Sequence, residues 1–328
     1  MPRSLMLVPA GKANGLFVIS LGLARALKDK GVKAEVFRPL DVCMNCKDQC
    51  PKNYSVSLMQ AIQLLSGGKQ QELIETISAN YQRLIQDTGA EVVIVEGVVT
   101  TMFDQHTMNA AIREAVDGDI CMASMGMCQR AMALVRIALG AFGKAAEQRF
   151  IGGVLFNYDA PYDAAEIKKL VLSGPKGAGG MAGCKKEDGQ GGDGGAHCTP
   201  FAMIPFEPQN YAFRARDLAR FIGGEVSGDC STRAFGLAFT AEEATENDVL
   251  VTSSVPASTR AAVVVLCGGA QGSAGKATIT TPHSVLAVTE ALLDVPPMLP
   301  ADDSERAERV AAFSAGLYDK ALIDHLTR

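Results

Sequence analysis

Short apolar runs alternate along the chain with stretches of helical periodicity. "LMLVP" (5–9) reads as a buried strand, and after a glycine loop the segment to Lys30 reads as a helix. "KAEVFRPL" (33–40) is a second strand. "QQELIETISANYQRLIQDTG" (70–89) places its apolar residues three and four apart, as a helix does, and stops at Gly89. "EVVIVEGVV" (91–99) is a continuous run rich in β-branched residues, the pattern of a strand buried on both faces. Helix is predicted at 107–116, strand at 119–124, helix at 128–143, and strands at 149–158 and 201–206. This alternation predicts an α/β fold with a mostly parallel sheet and helices on both faces. In such sheets ligands bind beyond the carboxyl ends of the strands, near the switch in strand order.

The pattern breaks at "GPKGAGGMAGCKKEDGQGGDGG" (174–195), where ten of 22 residues are glycine. Too few apolar side chains are present to offset the entropy of ordering, so 174–197 is expected to be a flexible insertion within a first domain of 1–212. A smaller α/β domain, 213–328, is expected to follow. It opens with the helix "RARDLARFIGGEV", continues through strands in "STRAFGLAF", "NDVLVTSS" and "RAAVVVLCGG", and closes on one or two amphipathic helices after Ser304.

Composition narrows the function. A formal net charge of −5 lacks the basic face that nucleic acid requires. No apolar run approaches the roughly 20 residues that span a bilayer. The first apolar run is short and leads straight into a glycine loop, unlike a signal peptide. A cytoplasmic protein with no nucleic-acid or membrane partner is the expectation. Nine cysteines in 328 residues do not make a small disulfide scaffold. Cys121, Cys128, Cys230 and Cys267 lie in or beside apolar segments, where cysteine packs as a small hydrophobe.

The chemistry begins after the first strand. In "GKANGLF", Gly11 and Gly15, four positions apart, lie between a strand and a helix, the placement of a phosphate-binding loop. Such a loop works through backbone N–H groups and the helix start, and Gly11, Lys12, Ala13, Asn14 and Gly15 would form that cradle. The position of the usual lysine holds Leu16, and that of the Mg²⁺-binding hydroxyl holds Phe17; Lys12 could supply charge from within the loop. Equally, the stretch could be a glycine turn with no ligand. Glu96 closes a buried strand on the same edge and is a candidate contact for Mg²⁺. Asn157, at the end of another strand, is a candidate to read a base. Each also has a structural alternative, as a solvated carboxylate and a turn asparagine.

"CMNCKDQCP" offers Cys43, Cys46 and Cys50 as candidate ligands for zinc or an iron–sulfur cluster, with Cys184, His197 or Cys198 as a fourth. The second paired knuckle of a zinc site is missing, which favours redox or surface thiols. His106, His283 and His325 read as structural or solvated.

Taken in order, "MLVPAGKANGLFVISLGLARALKDKGVKAEVFRPL", "ISANYQRLI", "AEVVIVEGVV", "GGVLFNYDAP" and "IPF" resemble the N-terminal half of long-form phosphate acetyltransferases. That half is similar to dethiobiotin synthetase and related P-loop ATPases. "SGDCSTRAF", "DVLVTSS" and "VVVLCGG" resemble the DRTGG domain that follows it. Long-form enzymes themselves carry "GL" at the loop, so the resemblance accounts for Leu16. It departs in "AQGSAGKATITTPHSV" (270–285), which stands in place of an expected helix and strand; Arg38 also stands where a lysine is usual. In the family, acetyl transfer between coenzyme A and phosphate takes place in a separate C-terminal domain, which the resemblance does not reach. It therefore implies a regulatory part that binds a nucleotide (ATP, ADP or NADH) or another metabolite. Its partners would be a transferase domain, supplied by another chain or lost, and further copies of itself. The rival expectations are an ATP-dependent, dethiobiotin-synthetase-like ligase and a ligand-free oligomerisation scaffold.

Overall fold

The computed structural model describes residues 2–10, 15–41, 54–100, 102–125, 129–158, 201–293, 300 and 302–328. Those up to 206, together with those from 302 onward, form one compact unit; 207–300 form another.

The first unit is built on six parallel strands: β1 (Arg3–Ala10), β2 (Ala34–Phe37), β5 (Val92–Glu96), β6 (Asp119–Met125), β7 (Phe150–Tyr158) and β8 (Ala202–Pro205), in the order β2-β5-β1-β6-β7-β8. Two short strands, β3 (Leu40–Asp41) and β4 (Val56–Ser57), pair beside it. The helices are α1 (Leu16–Lys28), α2 (Leu58–Ser66), α3 (Gln70–Thr88), α4 (Gln105–Val116), α5 (Gln129–Gly140) and α6 (Lys144–Arg149). Met6, Val8, Val93, Val95, Ile120 and Met122 join residues of α3, α4 and α5 in one core. Helix α1 lies outside that cluster and covers the opposite face, so the sheet is doubly wound, as its apolar strands require. From β1 the chain turns towards β2, and from β6 towards β7. The strand order therefore switches between β1 and β6, the strands that pair Ala10 with Ser124 at their carboxyl ends.

Two boundaries follow directly from local chemistry. Helix α3 stops where Gly89 adopts a left-handed φ of 64° and returns its N–H to Ile85 O. Strand β5 stops at Glu96 rather than running to Val99. Gly97 turns the backbone, donating its N–H to Leu7 O at 2.9 Å, and the Asn109 side chain takes over the backbone of Val98.

The closing helices α10 (Ser304–Ala315) and α11 (Lys320–Thr327) belong to the first unit, although the sequence groups them with the second domain. Helix α10 packs against α1, so closely that a Cβ on Gly22 would collide with Ser314. Ser314 Oγ lies 2.8 Å from Val18 O, and the Tyr318 hydroxyl donates to Ile19 O at 2.6 Å. Burial pushes the Tyr318 phenol well up, so it remains a neutral donor. An amphipathic pattern reveals that such helices have a buried face, but not which core receives it.

The second unit carries a five-stranded sheet in the order β10-β15-β14-β13-β12, made of β10 (Glu225–Gly228), β12 (Gly236–Ala238), β13 (Asp248–Thr252), β14 (Val263–Leu266) and β15 (Ala277–Thr280). β12 to β15 are parallel and β10 is antiparallel to β15. A short turn of helix, α7 (Pro208–Tyr211), leads into β9 (Phe213–Arg214), which pairs with β11 (Arg233–Ala234). Helices α8 (Ala215–Ile222) and α9 (Val285–Leu293) cover one face through Leu218, Ile222 and Val288. The stretch 270–285, read from sequence as departing from a strand and helix, contains β15, and α9 begins at its end. Four residues, "ATIT", are too few to stand out beside glycine and serine. The glycine-rich insertion 174–197 lies outside the described residues.

Candidate functional site

Helix α1 begins at the carboxyl end of β1 with Gly15 at its N-cap. Gly15 has φ 125° and ψ 21°, a conformation open to glycine and strained for other residues. Having no side chain, it caps none of the first N–H groups, and the positive end of the helix dipole faces the ligand edge of the sheet. Gly11, Lys12, Ala13 and Asn14 lie outside the described residues. Leu16 and Phe17 are buried, so the two positions that would carry a phosphate-binding lysine and a metal-binding hydroxyl instead serve the core. The Phe17 ring also carries the Arg306 guanidinium of α10, whose carbon stands 5.1 Å from the ring centroid.

Glu96 ends β5 directly beside β1, in register with Leu7. Its carboxylate is held from both sides. Arg38, just after β2, donates Nε–H to Oε2 at 2.8 Å, and the Ser20 hydroxyl of α1 donates to Oε1. Ser20 is fully buried, the Glu96 side chain is 11% exposed and that of Arg38 31%. Burial works against the guanidinium's charge, yet the Glu96 carboxylate beside it keeps its pKa above the ordinary arginine value. Three separate segments thus meet at one carboxylate on the ligand edge.

Of the residues singled out from sequence, the structure brings Gly15 and Glu96 to this edge. Asn157 also lies at the carboxyl end of its strand, β7, two strands along from β1, where the register with β8 shifts between Phe156 and Tyr158; its side chain lies outside the described residues. Cys43, Cys46 and Cys50 lie outside them as well. Among the described residues no three His, Cys, Asp or Glu side chains converge as a metal-binding group. Burial pushes the Cys121 thiol up to about 12, and it packs as a hydrophobe. His325 does find a carboxylate: its Nε2 lies 2.9 Å from Asp119 Oδ2, and Arg3 donates to its backbone oxygen. Arg3 and Asp119 begin β1 and β6, so this cluster ties α11 to the edge opposite the ligand edge.

Sequence reading misses Ser20 and Asn109. Ser20 is visible only as a hydroxyl inside the apolar run "LFVISLGL". Asn109 is wholly buried, accepting from Val98 N–H at 2.7 Å and donating to Val98 O at 3.0 Å. It holds the loop that follows Glu96. A Cβ on neighbouring Gly97 would lie 2.6 Å from Leu7 O, so that loop must hug β1 closely.

The first unit is therefore an α/β protein of P-loop-like layout, with a fixed carboxylate beside a helix start whose N-cap, Gly15, supplies no side-chain cap. No protein-family model matches the chain. It is similar to curated phosphate acetyltransferases: that of Salmonella typhimurium is 28% identical over 253 residues, 71% of this chain and 35% of the relative. That of Haemophilus influenzae is 24% identical over 261 residues, 74% of this chain and 36% of the relative. That of Pseudomonas aeruginosa is 25% identical over 374 residues, 97% of this chain and 51% of the relative. The chain spans about a third to a half of the length of these relatives. No described helix is long and apolar enough to cross a membrane.

Proposed function

We propose that this chain is a metabolite-sensing module of the phosphate acetyltransferase type. Its first unit, P-loop-like and similar to dethiobiotin synthetase, binds a nucleotide or other phosphate-bearing metabolite at the carboxyl edge of the sheet. The second unit is the DRTGG-like domain of the same arrangement. Binding biases an acetyl transferase activity that resides in a domain other than these two, through unequal affinity for two conformations. ATP, ADP and NADH are the ligands to test, and the module works in the cytoplasm as a homo-oligomer.

The observation that carries this reading is the state of Glu96. Phosphoryl transfer rests on charge stabilisation by a lysine, a metal and its carboxylate. Here Leu16 and Phe17 are buried apolar groups, and both Glu96 oxygens are already bonded, to Ser20 and Arg38. Each oxygen keeps a second lone pair, so a Mg²⁺ ion need displace neither donor, but it would meet the positive Arg38 guanidinium on the same carboxylate. The α1 start still favours an anion. The arrangement suits binding without turnover better than the ligase reading.

Titration calorimetry of the chain with ATP, ADP and NADH, with and without Mg²⁺, alongside a phosphate-release assay, tests this. Binding without release, little changed by Mg²⁺, is expected. Sustained phosphate release would replace the sensor with a ligase, and absence of binding by all three would leave a scaffold.

A further inference from the structure

Helices α8 and α9 pack together on one face of the second unit's sheet, and a cavity of about 410 Å³ opens between them. That volume falls within the roughly 300–1,000 Å³ usual for small-molecule sites. β15 passes into α9 through Thr281, Pro282 and His283, while α8 closes on Gly223 just before β10 begins. His283 and Gly223 both line the cavity. It therefore lies beside the carboxyl end of a parallel strand, where open α/β sheets take their ligands.

The walls are apolar. Phe221 and Ile222 line the cavity from α8, and Ala287, Val288 and Ala291 from α9. The space exists because Ala287 and Ala291 end at a methyl group and Gly223 has no side chain. Gly223 takes a left-handed φ of 65° to end α8, and a Cβ there would stand 3.5 Å from His283 Nε2. The imidazole thus lies beside the glycine. Its backbone is fixed: His283 N–H donates to Thr281 Oγ1 at 3.4 Å, and its carbonyl accepts from Gly268 N–H at 2.8 Å. The ring itself is exposed, with no hydrogen-bond or ion-pair partner among the described residues.

Arg220, in the last turn of α8, supplies the charge. Its ion pair with Asp217 is loose, at 4.0 Å, and Arg214 already holds both oxygens of that carboxylate, at 2.7 and 2.9 Å. None of the described residues that line the cavity is acidic. From this we infer that the cavity binds a small organic anion. Its ring-sized apolar body lies between α8 and α9, and its carboxylate or phosphate meets Arg220 and His283. A guanidinium donates two parallel bonds to either group, and an imidazole adds a further donor. An inorganic anion would leave the apolar walls unused, and a cation would meet Arg220. The site lies within the second unit, so it stands or falls apart from the ligand of the first.

Methyl NMR of the full chain, labelled at alanine, isoleucine and valine, is the test, with phenyl phosphate, benzoate and benzyl alcohol as probes. All three share a ring, and the first two carry the candidate anionic groups. At least one anion should shift the methyls of Ile222, Ala287, Val288 and Ala291, with a dissociation constant of about 1 mM or below. Benzyl alcohol should bind about tenfold more weakly or worse. Whichever anion binds more tightly distinguishes phosphate from carboxylate. Arg220→Gln should weaken that anion about fivefold or more. Ala287→Phe fills the cavity from an exposed position and should abolish the shifts while the rest of the spectrum stays in place. Methyls of the first unit report separately on any probe bound there. No shift at these four residues with either anion, equal binding of benzyl alcohol, or binding indifferent to either variant would each overturn the inference.

Discussion

Glu96 and Arg38 meet at 2.8 Å on the ligand edge of the first sheet, with Ser20 holding the other carboxylate oxygen. The pair joins the end of β5 to the loop after β2 and to the second turn of α1. Replacing Glu96 by Gln keeps the shape and removes the main charge facing the Arg38 guanidinium, leaving Asp41 as its acidic neighbour. Removing one partner of a fully buried pair costs several kcal/mol. Arg38 is about a third exposed, so water makes up part of the loss and about 1–2 kcal/mol is expected. Urea denaturation of Glu96→Gln against the wild type measures it. A variant as stable as the wild type would mean that Glu96 is held in readiness for a ligand rather than for the fold.

Gly15 separates the backbone cradle from the side chains around it. At φ 125° a branched residue is strained, so Gly15→Val should shift the start of α1. Nucleotide affinity should fall at least tenfold, while the rest of the core leaves the unfolding transition cooperative. Calorimetry on the variant reads this out, and unchanged affinity would remove the loop from the binding site.

How much of this was legible in the sequence differs by element. β5 and α3 were legible because a buried strand and an amphipathic helix each impose their own period on five or more residues, as "EVVIVE" and "ELIETISANYQRLI" do. The place of Glu96 was legible because position alone, at the end of a buried strand, puts it on the carboxyl edge of the sheet. Its partners were not. Arg38 stood out only as an exchange for lysine, and Ser20 lies 76 residues from the carboxylate it touches. The docking of α10 and α11 on α1 joins residues nearly 300 positions apart, as with Ser314 and Val18, and no local pattern encodes it.

That docking makes a separate prediction. A methyl group on Gly22 would meet the Ser314 side chain and press on its backbone, so Gly22→Ala overpacks the α1–α10 contact. A cost of about 1–3 kcal/mol is expected. Ser314→Gly removes the colliding atoms, at its own cost in helix propensity and in the bond to Val18 O. The two changes should therefore be less damaging together than their sum. A double-mutant cycle by thermal denaturation gives the coupling, and strict additivity would mean that α10 does not sit on α1 in solution.

Asp104 caps α4, the helix whose Asn109 holds the loop after Glu96. Its carboxylate accepts from the Thr107 hydroxyl at 2.5 Å and from the N–H groups of Thr107 and His106 at 3.3 and 3.0 Å. These bonds, the Thr107 hydroxyl foremost, hold its pKa below the ordinary aspartate value. A carboxyl depressed in the folded state contributes stability that is complete above its unfolded pKa, about 3.9, and disappears as pH falls through the lower folded value. Asp104→Ala should accordingly cost about 1 kcal/mol near neutrality, the usual worth of such a cap. The gap between wild type and variant should stay level from about pH 8 to pH 5 and close below about pH 4. Urea melts at a series of pH values follow it directly. A gap that widened on acidification would reverse the sign of the linkage and show that Asp104 is not the acceptor at the start of α4.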